Sequence, residues 1–505
     1  MKNIILVFLS FLSFQVYSQK EASRWYFGNN AGMDFMRTQN LTSANGLGQI
    51  AGVPTSINGP FKTNEGCFAI SDSDGNFLFT SDGIKVYGKN LAVMPNGSGL
   101  LGDPSSVNSG IVIPIPGDRN RYYVVTLPEL NNPQVGIRYS VVDMRLNGGL
   151  GDVEVDSKNT LLPYGTTSGL TVSDTYENAT VVGHENGIDY WLVSMMKNKF
   201  LAWLITKDGF SEPIVSIGPS YNTGRQSSIK ISPDGSKIAF VDHSTTGGYF
   251  TLGNFSTSTG KIANITTRTI GVYRLYGVEF SPSGQYIYLT VLNVSDAQNG
   301  LYITHVNDID NVPYNRVEPL VANVQLGPDG RIYGISPSRT FMYYPNNTKD
   351  HSLWIILDPD NGGTQIARFD NFFLSTTVPT FGLPPFITSF FALKPIVGRS
   401  LVCLGNIAEY SIEILSIGSG TQQIDHLVWD FGDGTPTVLD TSISTSKTIY
   451  KQQHDYSSKG EYTITVTPYL ANGLPDNTKV NSIKVTVSEC KIVTNKMIRH
   501  DISPQ

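Results

Sequence analysis

Along most of the chain, apolar and polar residues alternate over five to seven positions. The pattern breaks at a polar turn containing Gly and resumes in a stretch rich in aromatic and β-branched side chains. Alternation of period two predicts half-buried strands, and the breaks predict hairpins. The clearest copies are Ser227-Ser-Ile-Lys-Ile-Ser-Pro-Asp-Gly-Ser-Lys-Ile-Ala-Phe-Val, Tyr276-Gly-Val-Glu-Phe-Ser-Pro-Ser-Gly-Gln-Tyr-Ile-Tyr-Leu-Thr and Val321-Ala-Asn-Val-Gln-Leu-Gly-Pro-Asp-Gly-Arg-Ile-Tyr-Gly. Their turns are spelled as the backbone requires: Pro presets φ, Asp or Ser bonds back to the main chain, and Gly235, Gly284 and Gly330 supply a positive φ. Weaker copies begin at Cys67, Ile111 and Ala179, which makes six hairpins. A period of about 45–50 residues, with room for four strands per repeat, predicts the blades of a β-propeller. Lys20 to about Leu393 has room for seven blades. In that arrangement Trp25-Tyr-Phe-Gly closes the ring against strands near Phe386-Ile-Thr-Ser-Phe-Phe, although six or eight blades also fit.

After Pro395 the rhythm changes. Trp429 and Phe431 alternate toward a sandwich core, Gly432-Asp-Gly turns the chain out of that strand, and Tyr456 and Tyr462 anchor a facing sheet. At the other end, Lys2 precedes a nearly unbroken apolar run from Ile4 to Phe14 and a small residue at Ser18. The run is roughly a dozen residues long, short of the about 20 that span a bilayer, so it reads as a signal peptide cleaved before Gln19. The expected organisation is therefore a signal peptide over 1–18, a propeller over 19–393, an immunoglobulin-like sandwich over 394–490 and a short tail over 491–505.

Composition agrees with an all-β class: charged residues are 15%, beside 49 Gly, 25 Tyr and 24 Phe. The net charge of −6 carries no basic stripe, which argues against nucleic acid as a partner. No later stretch approaches membrane-spanning length, so no transmembrane span is expected. Of three cysteines, Cys403 and Cys490 bracket the last domain and are the disulfide candidate, permitted by an export route. Cys67 reads as a small buried hydrophobe.

The Ser-Pro-Asp-Gly hairpins resemble WD40-like repeats of the TolB type. Trp25-Tyr-Phe-Gly-Asn-Asn-Ala-Gly-Met-Asp-Phe, Asn64-Glu-Gly-Cys-Phe-Ala-Ile-Ser-Asp and Gly382-Leu-Pro-Pro-Phe-Ile-Thr-Ser-Phe-Phe look like secreted propeller proteins of gliding, type IX-secreting bacteria. Val428-Trp-Asp-Phe-Gly-Asp-Gly-Thr-Pro, His454-Asp-Tyr and Gly460-Glu-Tyr-Thr-Ile-Thr-Val-Thr are similar to the PKD domain, a spacer or binding module with some Ca²⁺-binding members. Many relatives continue into a type IX sorting domain, which has no counterpart after Ser482-Ile-Lys-Val-Thr-Val. The resemblance implies an exported protein at the cell surface, outside the cell or in the periplasm.

Candidate chemistry is sparse. There is no Gly-x-Ser-x-Gly elbow, His-Glu-x-x-His helix or phosphate-cradling loop. His184, His243, His305 and His351 could converge in a ring but read first as surface or core histidines, and His454 belongs to the PKD pattern. Asp72-Ser-Asp-Gly-Asn imitates the start of a calcium loop without its distal Glu, so a hairpin turn is the expected role. Asp430 and Asp433 read as turn formers. Structural calcium between blades is the one ion left open, and no other cofactor is expected. Tyr122, Tyr123, Tyr190, Trp191, Trp203, Tyr249, Phe250, Tyr273 and Tyr276 could offer aromatic faces to a glycan or peptide, half of them filling the core instead. The expected function is a non-catalytic envelope or surface protein that binds a protein partner or a surface glycan, accessory to or a client of type IX secretion, gliding or an outer-membrane complex. The alternative is an extracellular propeller enzyme acting on glycans or peptides.

Overall fold

A computed structural model describes residues 19–219, 226–243, 248–269, 274–292, 299–309, 316–318, 321–336, 351–392, 398, 401–414, 423–444, 447, 449–476 and 480–489. The expected signal peptide and tail, Tyr273 and Cys490 lie outside them. The chain divides into two compact units, Met1–Ile356 with Ile366–Phe391, and Leu357–Gln365 with Ala392–Gln505. Both are built from strands, and no α-helix occurs among the described residues.

In the first unit, seven antiparallel sheets follow one another along the described chain. The first holds Arg24–Phe27, Ala31–Thr42 and Gln49–Ser56. The second opens at Phe68–Ser71, the third at Gly110–Ile115, the fourth at Thr180–Gly183, the fifth at Ser227–Ile231, the sixth at Leu275–Phe280 and the seventh at Asn323–Leu326. All six hairpins read from the sequence are the opening hairpins of the second to seventh sheets. Gly235, Gly284 and Gly330 take φ of 76°, 73° and 77°, and each donates its N–H three residues back, to Ser232, Ser281 and Gly327. Four strands per sheet is not uniform: the first sheet has three, and the third and fourth have five because their outer edges are split into short pieces.

Opening strands of consecutive sheets touch from the first sheet to the seventh. The seventh meets the first: Trp25 and Phe35 pack on Tyr333 with ring centroids 5.7 and 5.0 Å apart, and Arg331 Nη1 donates to the Ala51 carbonyl at 3.0 Å. The ring so closed has the arrangement of a β-propeller, in which each sheet's inner edge is short and faces the axis, sheltered by its neighbours. Between its sheets lie apolar layers, such as Ile229, Phe240 and Phe200 between the fourth and fifth, and Val278, Leu289 and Val241 between the fifth and sixth.

Two expectations are corrected, the first being Tyr462, which lies on Gly460–Leu470 next to the strand of Trp429 in one sheet and not on a facing sheet. The second is Phe386-Ile-Thr-Ser-Phe-Phe, which is not a closing strand: Thr388–Phe391 is a single 3-10 turn. Pro384 and Pro385 lack the N–H that a ladder needs, so the segment before the turn cannot pair as a central strand. Closure at this point comes instead from Val378, which exchanges both backbone bonds with Asn29 at 2.8 and 2.9 Å.

In the second unit, a five-stranded sheet (Leu401–Cys403, Asn481–Ser488, Gly460–Leu470, Ile424–Asp430, Val438–Asp440) faces the pair Ala408–Glu413 and Ile449–His454. Trp429, Phe431, Tyr410, Tyr450 and Tyr456 are buried between them. Leu401–Cys403 runs parallel to Thr486–Ser488, with Cys403 opposite Ser488.

Candidate functional site

Because sheets in a ring expose only their opening strands to its axis, polar side chains on those strands converge there. Most are consumed in stapling neighbours. Asn108 donates to the Ala179 carbonyl at 2.8 Å, joining the third and fourth sheets. Asn178, wholly buried, donates to Met195 O and to Ser227 Oγ at 3.0 and 2.8 Å and reaches the fifth. Ser228 Oγ donates to Tyr276 O at 2.7 Å, and Thr290 Oγ to Ala322 O at 2.8 Å. Each satisfies a buried polar group that would otherwise cost about 1–3 kcal/mol.

The axis itself is occupied by the chain. Thr380 Oγ donates to Thr63 O and Phe381 N to Asn64 O, just before the opening strand of the second sheet. Further on, Thr388 Oγ bonds Val181 O, and Ser389 Oγ accepts from Gly183 N at the last residue of the fourth sheet's opening strand. Residues 378–391 therefore run from the end where opening strands begin to the end where they finish. At Gly382, a Cβ would lie 1.6 Å from the Glu65 carbonyl oxygen, so only Gly passes there. Leu383, Pro385 and Phe386 leave beside them a cavity of about 40 Å³, lined also by Lys230 and Gln325, enough for a water or two.

Two carboxyls mark the end where opening strands begin. Tyr276 Oη donates to Glu65 Oε1 at 2.6 Å, and Glu177 accepts from Leu130 N and Val107 N at 2.6 and 2.8 Å. Burial lifts Glu65 to about 7, opposed by the Tyr276 bond and aided by Asp103. Burial lifts Glu177 to about 8 against its amide donors, with the charge of Glu65 adding to the rise. His243, edge-on to Tyr276 at 5.9 Å, is pushed down to about 4 by burial and by Arg274. Deeper in, Lys230 Nζ lies 2.9 Å from Glu279 Oε2 and 2.7 Å from Gln325 Oε1.

The residues singled out from the sequence are dispersed. His184 stacks on Trp191 in a turn, His305 lies edge-on to Tyr286, and among the described residues no group of three or more His, Cys, Asp or Glu is placed to hold a metal. Asp72 accepts from the N–H groups of Asp74 and Asn76, a hairpin turn. Asp430 accepts from Gly432 N. Asp433 bonds Thr435 and His454 Nε2, the latter at 2.8 Å, while His454 stacks flat on Phe431 with centroids 4.0 Å apart. Tyr122, Tyr123, Trp191, Trp203, Phe250 and Tyr276 are buried, and Tyr190 and Tyr249 are half-buried. Cys67 is a buried free thiol.

Glu65, Glu177, Lys230, Glu279 and Gln325 were not foreseen. A signal existed for the last three: each stands five residues before its turn glycine, a charged or amide side chain between apolar neighbours in successive copies of the repeat.

No family model matches the chain, and no curated protein matches it. Among solved structures, it is similar to a Bacteroides uniformis protein of proposed 6-phosphogluconolactonase activity, at 13% identity over 71% of this chain and 97% of that one, TM-score 0.40. It is similar to the β-propeller domain of Myceliophteria thermophila Cps50 (Swd1), at 10% identity over 63% and 93%, TM-score 0.36. The extracellular domain of BT4673 from B. thetaiotaomicron is 12% identical, TM-score 0.33; the match covers 92% of this chain and 55% of that domain.

Proposed function

We propose that the protein is a non-catalytic, exported binding protein of the cell envelope or cell surface, in which a seven-bladed propeller (19–393) presents a face to a protein partner or surface glycan and a PKD-type domain (394–490) spaces or braces it. The observation that carries this reading is the use of the axis: residues 378–391 fill it, and its polar side chains are spent on staples between sheets. A ring held this way is a rigid scaffold whose outer faces remain for contact. The seven consecutive sheets support the blade count, and the Trp429, Phe431 and Tyr456 core, with its His454 stack, supports the PKD assignment. In this reading residues 1–18 direct export, 491–505 form a tail, and Cys403 pairs with Cys490; the register of Cys403 against Ser488 brings the chain before Cys490 alongside, and labelling of the unfolded protein then counts one free thiol.

In this reading the partner belongs to a type IX secretion, gliding or outer-membrane assembly, which the same sequence resemblance supports. Affinity capture of the native protein from envelope extracts tests this: a stoichiometric envelope partner is the expected result, and recovery free in culture fluid with no envelope component would sink the assembly role. A second reading, an extracellular enzyme acting on glycans or peptides, is favoured by the Glu65 and Glu177 carboxyls, both raised toward neutrality. Turnover on a glycan and peptide panel that Glu65→Gln abolishes would establish it over the binding reading.

A further inference from the structure

Lys230, Glu279 and Gln325 hold the same position in three consecutive repeats, on the opening strands of the fifth, sixth and seventh sheets. The Lys230 amine donates to Glu279 Oε2 at 2.9 Å and to Gln325 Oε1 at 2.7 Å. The side chains are 13% and 3% exposed for Lys230 and Glu279, and Gln325 is buried. Gln325 Nε2 donates to the Leu326 carbonyl at 3.1 Å, which turns its oxygen toward the amine. Phe280 N and Leu326 N, at 3.0 and 3.1 Å, fix the Glu279 carboxylate beside both partners.

This is an amine, a carboxamide and an acid–base group, pre-positioned and largely withdrawn from bulk solvent. Holding reacting groups together in this way replaces an encounter in solution with a step inside one molecule and raises their effective concentration. Proton transfer from ammonium to carboxylate removes two charges at once from a medium that solvates them poorly, and it leaves the amine nucleophilic. The amide oxygen, already facing the N–H groups of Lys230, is where negative charge would develop.

We propose that Lys230 and Gln325 become joined by an intramolecular isopeptide bond, with Glu279 as the acid–base group. Glu279 takes one proton from the Lys230 ammonium, and the amine lone pair adds to Cδ of Gln325. Glu279 passes that proton to Nε2 and takes a second from Nζ. The Cδ–Nε2 bond then breaks as the carbonyl re-forms, and ammonia leaves, carrying the last proton from Glu279 as ammonium. Lysine ammonium and carboxamide are consumed, and one amide and one ammonium ion are produced. No oxidant, water or external reagent enters. The product ties the fifth sheet to the seventh through a covalent loop that encloses the sixth.

Tandem mass spectrometry of a tryptic digest of the full-length protein tests this. The expected finding is a branched peptide in which Lys230 is uncleaved and linked to the Gln325 peptide, lighter than the sum by one ammonia. It should be lost in Glu279→Gln and form more slowly in Glu279→Asp. Linear, unmodified peptides carrying Lys230 and Gln325 in the wild-type digest would overturn the proposal, and the wild-type spectrum decides this whether or not a variant folds. Undiminished linkage in Glu279→Gln would overturn the role of Glu279. Reading the linked peptide itself avoids confusion with cyclisation of an N-terminal Gln, which also expels ammonia.

Discussion

A buried carboxyl, a half-buried one and a half-buried histidine give the ring a pH dependence whose sign is fixed. Glu65 and Glu177, held at about 7 and about 8 by burial, keep protons in the folded state that the unfolded chain releases near 4.5. Their contribution is therefore present in full below about 4.5 and is lost as pH rises through about 8. His243, depressed to about 4, works in the opposite sense, adding stability as pH rises from about 4 to 6.5. Of these three groups the carboxyls govern the interval between pH 6.5 and 8, so the thermal midpoint should fall across it. Glu177→Gln should flatten the fall while costing about 1–3 kcal/mol at pH 6, because its amide NH₂ would confront a backbone N–H. A midpoint that rises from pH 6.5 to 8 would contradict the assignment. Of these groups only His243 was singled out in the sequence, as a surface or core histidine; the two carboxyls were not. Glu65 and Glu177 precede opening strands of different sheets, and nothing in the spacing of residues so far apart says that a ring will bring them together.

At the level of elements, legibility followed the chemistry of the turn. Pro-Asp-Gly and Pro-Ser-Gly spell a backbone conformation in three letters, and Gly235 and Gly284 adopt it. The axial segment failed for the converse reason: Phe386-Ile-Thr-Ser-Phe-Phe has strand composition, and composition does not distinguish burial against a ladder from burial inside a ring. Lys230, Glu279 and Gln325 lay between these cases, each visible as a polar break in an apolar strand but uninterpretable until the repeats were placed around an axis. The axial segment also supplies the sharpest test of packing. Gly382→Ala puts a methyl 1.6 Å from the Glu65 carbonyl oxygen, a backbone atom that cannot swing aside. The segment must shift, and overpacking of this kind should cost about 3 kcal/mol or more. Denaturant unfolding read by Trp fluorescence measures it, and a midpoint equal to wild type would show that the segment is free to move at this point.

For the whole molecule, the question is where the ring ends. Sheets alone would end it at Phe369, yet Ile366–Phe391 stays with the first unit, and four hydrogen bonds from Thr380, Phe381, Thr388 and Ser389 tie the axial segment to the second and fourth sheets. Phe386 packs on Trp25 at 5.8 Å, Ile387 is wholly buried, and Leu383 and Phe391 are nearly so. Removing four such side chains forfeits about 1.5–3 kcal/mol each, a loss comparable with the about 5–15 kcal/mol that stabilises a folded domain. A chain truncated after Phe391 should therefore keep the cooperative unfolding of the ring, whereas one truncated after Thr377 should lose it and bind a hydrophobic dye in native buffer. Equal cooperativity in the two would mean that the ring closes without its axial segment. The binding reading would then have to accommodate an open channel, with Glu65, Glu177 and Lys230 at its wall.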